Sequence, residues 1–363
     1  MNLKMFPSKS HETIYTAEGE TAFFTIAIHN TALGNPLGGT RMMDYANEQE
    51  AIDDAMRLSE GMTYKFGVTN LSFGGGKATI LPYELDKERI LEEYAKVLEI
   101  VNGDLRKRKG RYFITGEDIG VGISEVDFLR KRTRDEYVIG SSSGSGDPSP
   151  YTADGVYRAL KVCALEVFQS PSLKNRRVAI QGLGKVGRPL LEKIVAEGAV
   201  VLGEDINGGR VMELNGKYSG NPHVEIRDAC GKSVFEEDVD ILVPCAIGGT
   251  ITEDVLKKSR PLIVCGSANN QLDKRETAQF MHDSKILYAV DFVANSAGAI
   301  RVGVETLSGK GKFNDELFRV EVSQIPHRIY DLIESSKKEG KNPLEICEEK
   351  VRRRIELVRE LGM

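Results

Sequence analysis

Apolar positions change their spacing along the chain, and each change predicts an element. Residues 20–31 (ETAFFTIAIHNT) are rich in β-branched and aromatic residues and predict a strand. Residues 48–66 place Ile52, Ala55, Met56, Ser59, Met62 and Phe66 at three- and four-residue steps, one face of a helix. NLSFGGGKATIL then feeds a glycine cluster into a short strand, and 86–101 (DKERILEEYAKVLEIV) gives a second amphipathic helix. RYFITGEDIG ends a strand in a polar turn. SSSGSGDPSP (141–150) is dominated by Ser, Gly, Pro and Asp and reads as a loop or hinge between domains. Beyond it, DGVYRALKVCALEVF predicts a helix, and RRVAIQGLGKVGRPLLEKIVAEGAVVLGED alternates strand, helix, strand. Short apolar strands recur at VDILVPC, PLIVCG and KILYAVDFV, which implies a parallel sheet with helices on its faces. A last helical stripe holds Leu344, Cys347, Val351, Ile355, Val358 and Leu361.

Composition narrows the classes. With 363 residues, two domains are the natural expectation. A net charge of −5 argues against a general nucleic-acid binder, and LRKRKGR (105–111) and VRRR (351–354) read as solvated faces. No apolar run is long enough to cross a bilayer, and the N-terminus has no secretory apolar core. Five scattered cysteines without a CxxC pair read as reduced thiols in a cytoplasm. The five histidines show no metal-binding spacing, so no metal is expected. Glycine is the informative excess, with 37 residues gathered in clusters.

QGLGKVG supplies Gly182, Gly184 and Gly187 in Gly-x-Gly-x-x-Gly spacing, with Lys185 and Val186 completing the turn. An apolar strand precedes it, a helix follows, and a second strand ends at Glu204 and Asp205. The first glycine makes a tight turn, the second admits a pyrophosphate and the third lets helix pack on strand. The helix N-terminus offers free N–H groups to phosphates. An acid at the position of Asp205 accepts from a ribose 2′-hydroxyl and repels a 2′-phosphate, so NAD is the expected cofactor. Arg210 nearby has the opposite preference. The bland alternative is an ordinary βαβ glycine turn.

In the first half, GMTYK ends a helix at Lys65 and FGGGK puts Lys77 after three glycines. An isolated lysine is ordinarily a solvated surface residue, but here the glycines strip side chains from its surroundings, letting a ligand or a backbone approach. NPLGGTR adds Gly38, Gly39 and Arg41, and ITGEDIG adds Glu117 and Asp118. One lysine of such a pair can hold a carboxylate. The other can act as a base if burial and a neighbouring ammonium lower its pKa, against the pull of a nearby carboxylate.

These motifs resemble the amino-acid dehydrogenases of the glutamate/leucine/phenylalanine/valine superfamily, above all the leucine and phenylalanine branch. The resemblance runs nearly end to end through PLGGTR, DDAMRLSEGMTYK, FGGGKATI, ITGEDIG, GSGDPSPYTADGVYRAL, VAIQGLGKVG, VPCAIGG and SANNQL. It implies an α/β fold of two domains with a cleft between them. Residues 1–148 would form the substrate-binding and catalytic domain, with 326–363 packing back on it, and 149–325 a Rossmann NAD-binding domain. It implies NAD-dependent oxidative deamination of an L-amino acid to a 2-oxo acid, ammonium and NADH. Lys65 resembles the lysine that binds the α-carboxylate, Lys77 the catalytic lysine that activates water, and Asp118 the proton shuttle. Gly38 and Gly39 would shape the carboxylate end of the pocket. Thr152, Asn269 and Asn270 would hold nicotinamide and substrate, and Ala246 and Ile247 would lie along the cofactor. The expected partners are a small-molecule substrate and further copies of the chain in a homo-oligomer, with no nucleic acid and no membrane.

Glutamate-specific relatives carry a lysine where this chain has Leu37, and Val302 stands at their second side-chain contact. A buried acidic side chain would be unpaired there, which favours an apolar substrate. Gly116 and Ala299, at pocket-lining positions, are small and leave room for a larger, even aromatic, side chain. YAVDFVANSAG departs from the family's usual YAPDYVINAGG, SANN has Ser267 where alanine is usual, and 208–228 looks unlike the leucine branch. These departures bear on substrate choice more than on chemistry. A dehydrogenase for an aromatic or unusual amino acid is the alternative within the class. A non-catalytic NAD-binding relative is the alternative outside it, and the presence of Lys65, Lys77 and Asp118 together argues against that.

Overall fold

The structure, a computed structural model, describes residues 2–6, 8–140, 147–231, 233–309 and 312–362. The hinge reading of 141–150 therefore lies, over 141–146, outside the described residues. The chain divides into two compact units. One comprises Met1–Gly146, Ala299–Phe318 and Val351–Met363, the other Asp147–Gly298 and Arg319–Lys350.

The first unit is built on β1 (Asn2–Phe6), β2 (Thr13–Glu18), β3 (Ala22–Asn30), β4 (Pro36–Leu37) and β5 (Thr40–Met42), followed by α1 (Glu48–Gly67), β6 (Gly74–Pro82), α2 (Lys87–Lys109) and α3 (Ile123–Arg130). The sheet runs β1-β2-β3-β6-β4, with β5 also on β6. β1, β2, β3 and β6 are antiparallel neighbours, whereas β4 and β5 lie parallel to β6. β3 is buried along almost its whole length because both faces are covered. Phe24, Ile26 and Ile28 pack with Tyr94, Leu98 and Val101 of α2. Alternate residues turn to α1, as the His29 Nδ1 contact with Thr63 Oγ1 shows. Asn47 caps α1 by accepting from the Glu50 N–H, and Asp86 caps α2 in the same way.

The buried stripe of α1 differs from the expected one. Ala51, Ala55, Leu58, Ser59, Thr63 and Phe66 are buried, while Ile52, Met56 and Met62 are only half-buried. The reason lies on the facing strand. A Cβ at Gly75 would stand 2.1 Å from Thr63 Oγ1 and 2.3 Å from the Ser59 carbonyl. With no side chain on β6 there, small polar residues of the helix meet the strand backbone directly, and the large apolar ones turn aside.

The second unit begins with α4 (Ser149–Phe168) and alternates β7 (Arg177–Gln181), α5 (Gly187–Ala196), β8 (Val200–Asp205), α6 (Gly208–Lys217), β9 (Val224–Asp228), β10 (Ile241–Pro244), α7 (Glu253–Ser259), β11 (Ile263–Val264), α8 (Glu276–Asp283), β12 (Leu287–Tyr288) and α9 (Asp291–Ala294). All strand pairs are parallel, in the order β12-β11-β10-β7-β8-β9. The order reverses between β7 and β10, the Rossmann arrangement, with its ligand crevice at the carboxyl ends of the strands.

Three helices close the chain: α10 (Ala297–Ser308), α11 (Asp315–Glu339) and α12 (Pro343–Glu360). Their grouping departs from the expected boundaries. Residues 299–318 join the first unit and 319–350 the second, so only 351–363 of the expected 326–363 returns to the first. Packing explains it. Gly303 lies against Leu71 and Phe73, whereas Ile325 reaches Gly155 and Glu348 pairs with Arg275 at 2.6 Å. The stripe Cys347, Val351 and Ile355 is buried as expected, and Leu361 is exposed. Arg354, expected on a solvated face, donates to the Gly67 carbonyl at 2.8 Å and so caps the end of α1.

Candidate active site

The glycine-rich strands of the first unit place a buried ion pair. Gly75, Lys77 and Thr79 alternate on the α1 face of β6, and the Thr79 hydroxyl donates to the Ala51 carbonyl of α1 at 2.8 Å. Lys77 is 5% exposed, and its ammonium donates to Asp118 Oδ2. Asp118 sits in a tight turn, with backbone bonds exchanged between Asp118 and Val121. Gly38 and Gly39 bring that turn close. The Gly38 N–H donates to the Ile114 carbonyl at 3.1 Å and that of Thr40 to Gly116 at 2.9 Å. A Cβ on Gly39 would meet the Glu117 carbonyl at 2.3 Å, and one on Gly38 the Gly76 carbonyl at 2.0 Å.

Asp118 carries two opposed influences. Burial pushes its carboxyl up, but the Lys77 ammonium, the Arg41 guanidinium and the Ile119 N–H together hold it well below the usual carboxylate range. It is therefore ionised throughout the physiological range. A buried pair of this kind is costly to break, because either partner alone keeps an uncompensated charge.

Of the other expected residues in this unit, Lys65 is half-buried in the last turn of α1. It lies three residues beyond Met62, whose side chain approaches Gly38, and so projects from the same helix face. Leu37 is 2% exposed on β4 and pairs with Gly75. Gly116 is packed close to the Ile139 carbonyl, and Ala299 and Val302 are half-buried on α10.

The second unit gathers the residues expected to hold a dinucleotide. Gly182 has φ +87° and lies against Ala246, so its turn admits only glycine without strain. Gly187 lets α5 close on β7, since a Cβ there would stand 1.9 Å from the Gly182 carbonyl. Gly184 is different: a Cβ would meet nothing within 4 Å. Its bare backbone opens outward, next to Lys185 and Val186 and the first turn of α5. Asp205 is buried at the end of β8. Oδ2 accepts from the Leu183 N–H at 2.7 Å and from Arg210 at 2.8 Å, and Oδ1 from the Asn207 N–H at 2.8 Å. Burial raises its pKa, but those donors prevail and lower it. Arg210, which on sequence could favour a 2′-phosphate, is clamped onto the acid.

Ala246 and Ile247 follow β10 and are exposed, Ile247 by 72%. Thr152 lies half-buried in α4, its hydroxyl donating to the Pro148 carbonyl. Asn269 is exposed and Asn270 half-buried with φ +50°. The departing segment 288–298 supports them. Asn295 Nδ2 donates to Asn269 Oδ1 at 3.2 Å and to the Ser267 carbonyl at 3.2 Å. Among the described residues its buried Oδ1 has no partner. The open Gly184 and this orphaned amide oxygen fit a bound dinucleotide with a donor group at one end. Sequence reading missed Asn295 as a support, and it missed Asp54 and Tyr45, which reach the Asp118 site through Arg41. The Asp-Asp pair inside the α1 segment was the available signal for Asp54.

A parallel unit of Rossmann strand order and a unit holding a buried lysine–carboxylate pair fit the class of nicotinamide-dependent dehydrogenases. The sequence model for the Glu/Leu/Phe/Val dehydrogenase dimerisation domain matches residues 9–135, and that for Glutamate/Leucine/Phenylalanine/Valine dehydrogenase matches residues 144–355. The chain belongs to the Glu/Leu/Phe/Val dehydrogenase family, whose members are NAD(P)-dependent amino-acid dehydrogenases. It is 36% identical over 320 residues to leucine dehydrogenase of Bacillus subtilis (strain 168), covering 87% of this chain and 82% of that protein. It is 37% identical over 285 residues to valine dehydrogenase of Streptomyces albus, covering 77% and 75%. Among solved structures, L-tryptophan dehydrogenase from Nostoc punctiforme superposes with a TM-score of 0.76 at 28% identity over 97% of each chain. Among the described residues no helix is long and apolar enough to cross a membrane.

Proposed function

We propose that this protein catalyses the reversible NAD-dependent oxidative deamination of an apolar L-amino acid, giving the 2-oxo acid, ammonium and NADH. The observation that carries the reading is the buried Lys77–Asp118 pair, in a chain similar to leucine and valine dehydrogenases. The nicotinamide, when bound, supplies a hydride acceptor for the substrate Cα. Lys65 holds the α-carboxylate as a point charge, beside the bare backbone of Gly38 and Gly39. Asp118, held ionised, takes a proton from the substrate nitrogen, and Lys77 orients and activates the water that replaces that nitrogen. Leu37, Val302, Gly116 and Ala299 line the side-chain pocket, and an acidic side chain there would lack a partner.

Asp205 faces the adenosine ribose and favours NAD over NADP. Gly182, Gly184, Lys185, Val186 and Gly187 cradle the pyrophosphate. Thr152, Ala246, Ile247, Asn269 and Asn270 hold the nicotinamide end. The family's first domain is a dimerisation domain, which supports a homo-oligomer. The similarity to a tryptophan dehydrogenase favours a second reading, in which the small Gly116 and Ala299 admit an aromatic side chain.

The test is NADH formation with a panel of L-amino acids, run with NAD and then NADP, on the wild type and Lys77→Ala. Turnover of leucine or valine but not glutamate, with kcat falling about 10³-fold or more in Lys77→Ala and NADH binding retained, is the expected result. Turnover of tryptophan or phenylalanine alone selects the second reading. Glutamate turnover alone, or an active Lys77→Ala, overturns the pocket or the mechanism respectively.

A further inference from the structure

The Asp118 carboxylate does not stand on Lys77 alone. Arg41 on β5 is 13% exposed and donates from Nε to Asp118 Oδ1 at 3.3 Å and from Nη1 to Asp54 Oδ2 at 3.1 Å. Asp54, on α1, is itself 12% exposed and held from two further sides: the Tyr45 hydroxyl donates to Oδ2 at 2.9 Å and Arg57 to Oδ1 at 2.5 Å. One guanidinium therefore bridges two carboxylates, and the outer one is anchored to the helix that carries Lys65.

The donor count on Asp118 is instructive. A carboxylate has about four acceptor positions, two on each oxygen. Oδ1 takes Arg41 Nε and the Ile119 N–H at 2.6 Å, which fills it. Oδ2 takes the Lys77 ammonium and, among the described residues, keeps one position. We infer that Arg41 is a positioning residue that saturates Asp118 Oδ1 and so confines proton exchange with the substrate nitrogen to Oδ2, the oxygen beside Lys77. The inference rests on the amino-acid dehydrogenase reading of this site. In the oxidative direction an N–H bond of the substrate ammonium breaks and an O–H bond forms at Oδ2. The ammonium that neutralises this oxygen belongs to the lysine that orients water, so both proton movements share one edge of the carboxylate.

Among the described residues, the charged groups facing Asp118 are Lys77 from β6 and Arg41 from β5. Asp54 and Arg57 from α1, and Tyr45 after β5, stand behind Arg41. Removing Arg41 removes one of the two cations that hold Asp118 ionised. Oδ1 then keeps an open acceptor position, and proton exchange is no longer confined to the edge beside Lys77.

The experiment compares wild type, Arg41→Met, Arg41→Lys, Asp54→Asn and Asp118→Asn, with NADH affinity measured on each as a check on folding. Arg41→Met is expected to lower kcat by about 10²-fold, with KM for the amino acid held within about twofold and NADH affinity unchanged. Arg41→Lys should restore only part of kcat, because a point charge cannot span both carboxylates. Wild-type kinetics in Arg41→Met, or a raised KM with kcat unmoved, overturns the inference. If Arg41→Met does not fold, Asp54→Asn decides. A kcat lowered about fivefold, with KM for the amino acid held within about twofold, supports the bridge. Wild-type kinetics refute it. Asp118→Asn separates the two levels. If it stays active, the reading of the site itself fails; if it is dead while Arg41→Met is normal, only the role of Arg41 fails.

Discussion

The two glycine clusters look alike in sequence and do different work in the fold. Around β6, the glycines are filled by protein. Gly75 admits the Ser59 carbonyl and Thr63 hydroxyl of α1, Gly38 the Gly76 carbonyl, and Gly39 the turn that carries Asp118. In the dinucleotide turn, Gly182 and Gly187 are filled in the same way, but Gly184 faces open space. So the first unit uses its glycines to draw backbone layers together, and that compaction sets Lys77 against Asp118. The second unit leaves one glycine over, and a leftover bare backbone is what an approaching pyrophosphate requires. A glycine motif next to a functional lysine is therefore not by itself a ligand cradle.

The sharpest way to break this contrast is to add one methyl group in each place. Gly75→Ala puts a Cβ within 2.3 Å of a backbone carbonyl that cannot swing away. We expect a loss of roughly 3 kcal/mol or more in unfolding free energy, with activity lost because β6 and α1 separate. An unfolding curve like the wild type's would show that the layers have slack. Gly184→Ala meets nothing. Its thermal midpoint should stay within about 2 °C of the wild type, while KM for the dinucleotide rises about tenfold, a ~1.4 kcal/mol effect. A fall in stability with unaltered KM would mean that Gly184, too, is a packing glycine.

The contrast also marks what could be read from residues alone. The parallel βαβ order, the three glycines at their spacing and the acid closing the second strand were legible, because each is a local pattern with a local cause. The Lys77–Asp118 pair was legible only as two candidates, since 41 positions of chain separate them and only the Gly38–Gly39 approach joins them. The rotation of α1 was not legible. Amphipathic periodicity assumes that large apolar side chains take the buried face, and the glycine strand reverses that preference at Ser59 and Thr63. Nor was the split of the C-terminal helices, because an apolar stripe such as Cys347, Val351 and Ile355 says that a helix is buried and not against which unit. Arg41 was visible as a cation by the glycines, but its bridge needs Asp54, which is brought by the helix and not by the motif.

The smallest expected effect probes the same α1 interface from its other side. Thr63 Oγ1, the atom that Gly75 admits, also meets His29 Nδ1 at 2.8 Å. His29 stands 4.8 Å from His11 ring to ring, and His11 Nε2 lies 3.0 Å from the Met56 carbonyl and from Ser59 Oγ. Burial, and then the neighbouring His11, push the His29 imidazole down to about 4, and burial also lowers His11. An unfolded chain protonates its histidines near pH 6.5, so between there and pH 4 the unfolded state binds more protons than the folded one. Stability must then fall as pH falls through that window, whereas Asp118, ionised in both states there, adds no slope until the ordinary carboxylate range is reached. We expect about 1–2 kcal/mol to be lost between about pH 7 and pH 5.5 through the two histidines. His29→Gln should flatten the loss by about half, because an amide can still meet Thr63 without taking up a proton. A slope unchanged by His29→Gln would assign the acid sensitivity to carboxylates elsewhere. It would also mean that the close α1 packing permitted by Gly75 does not keep the imidazole neutral.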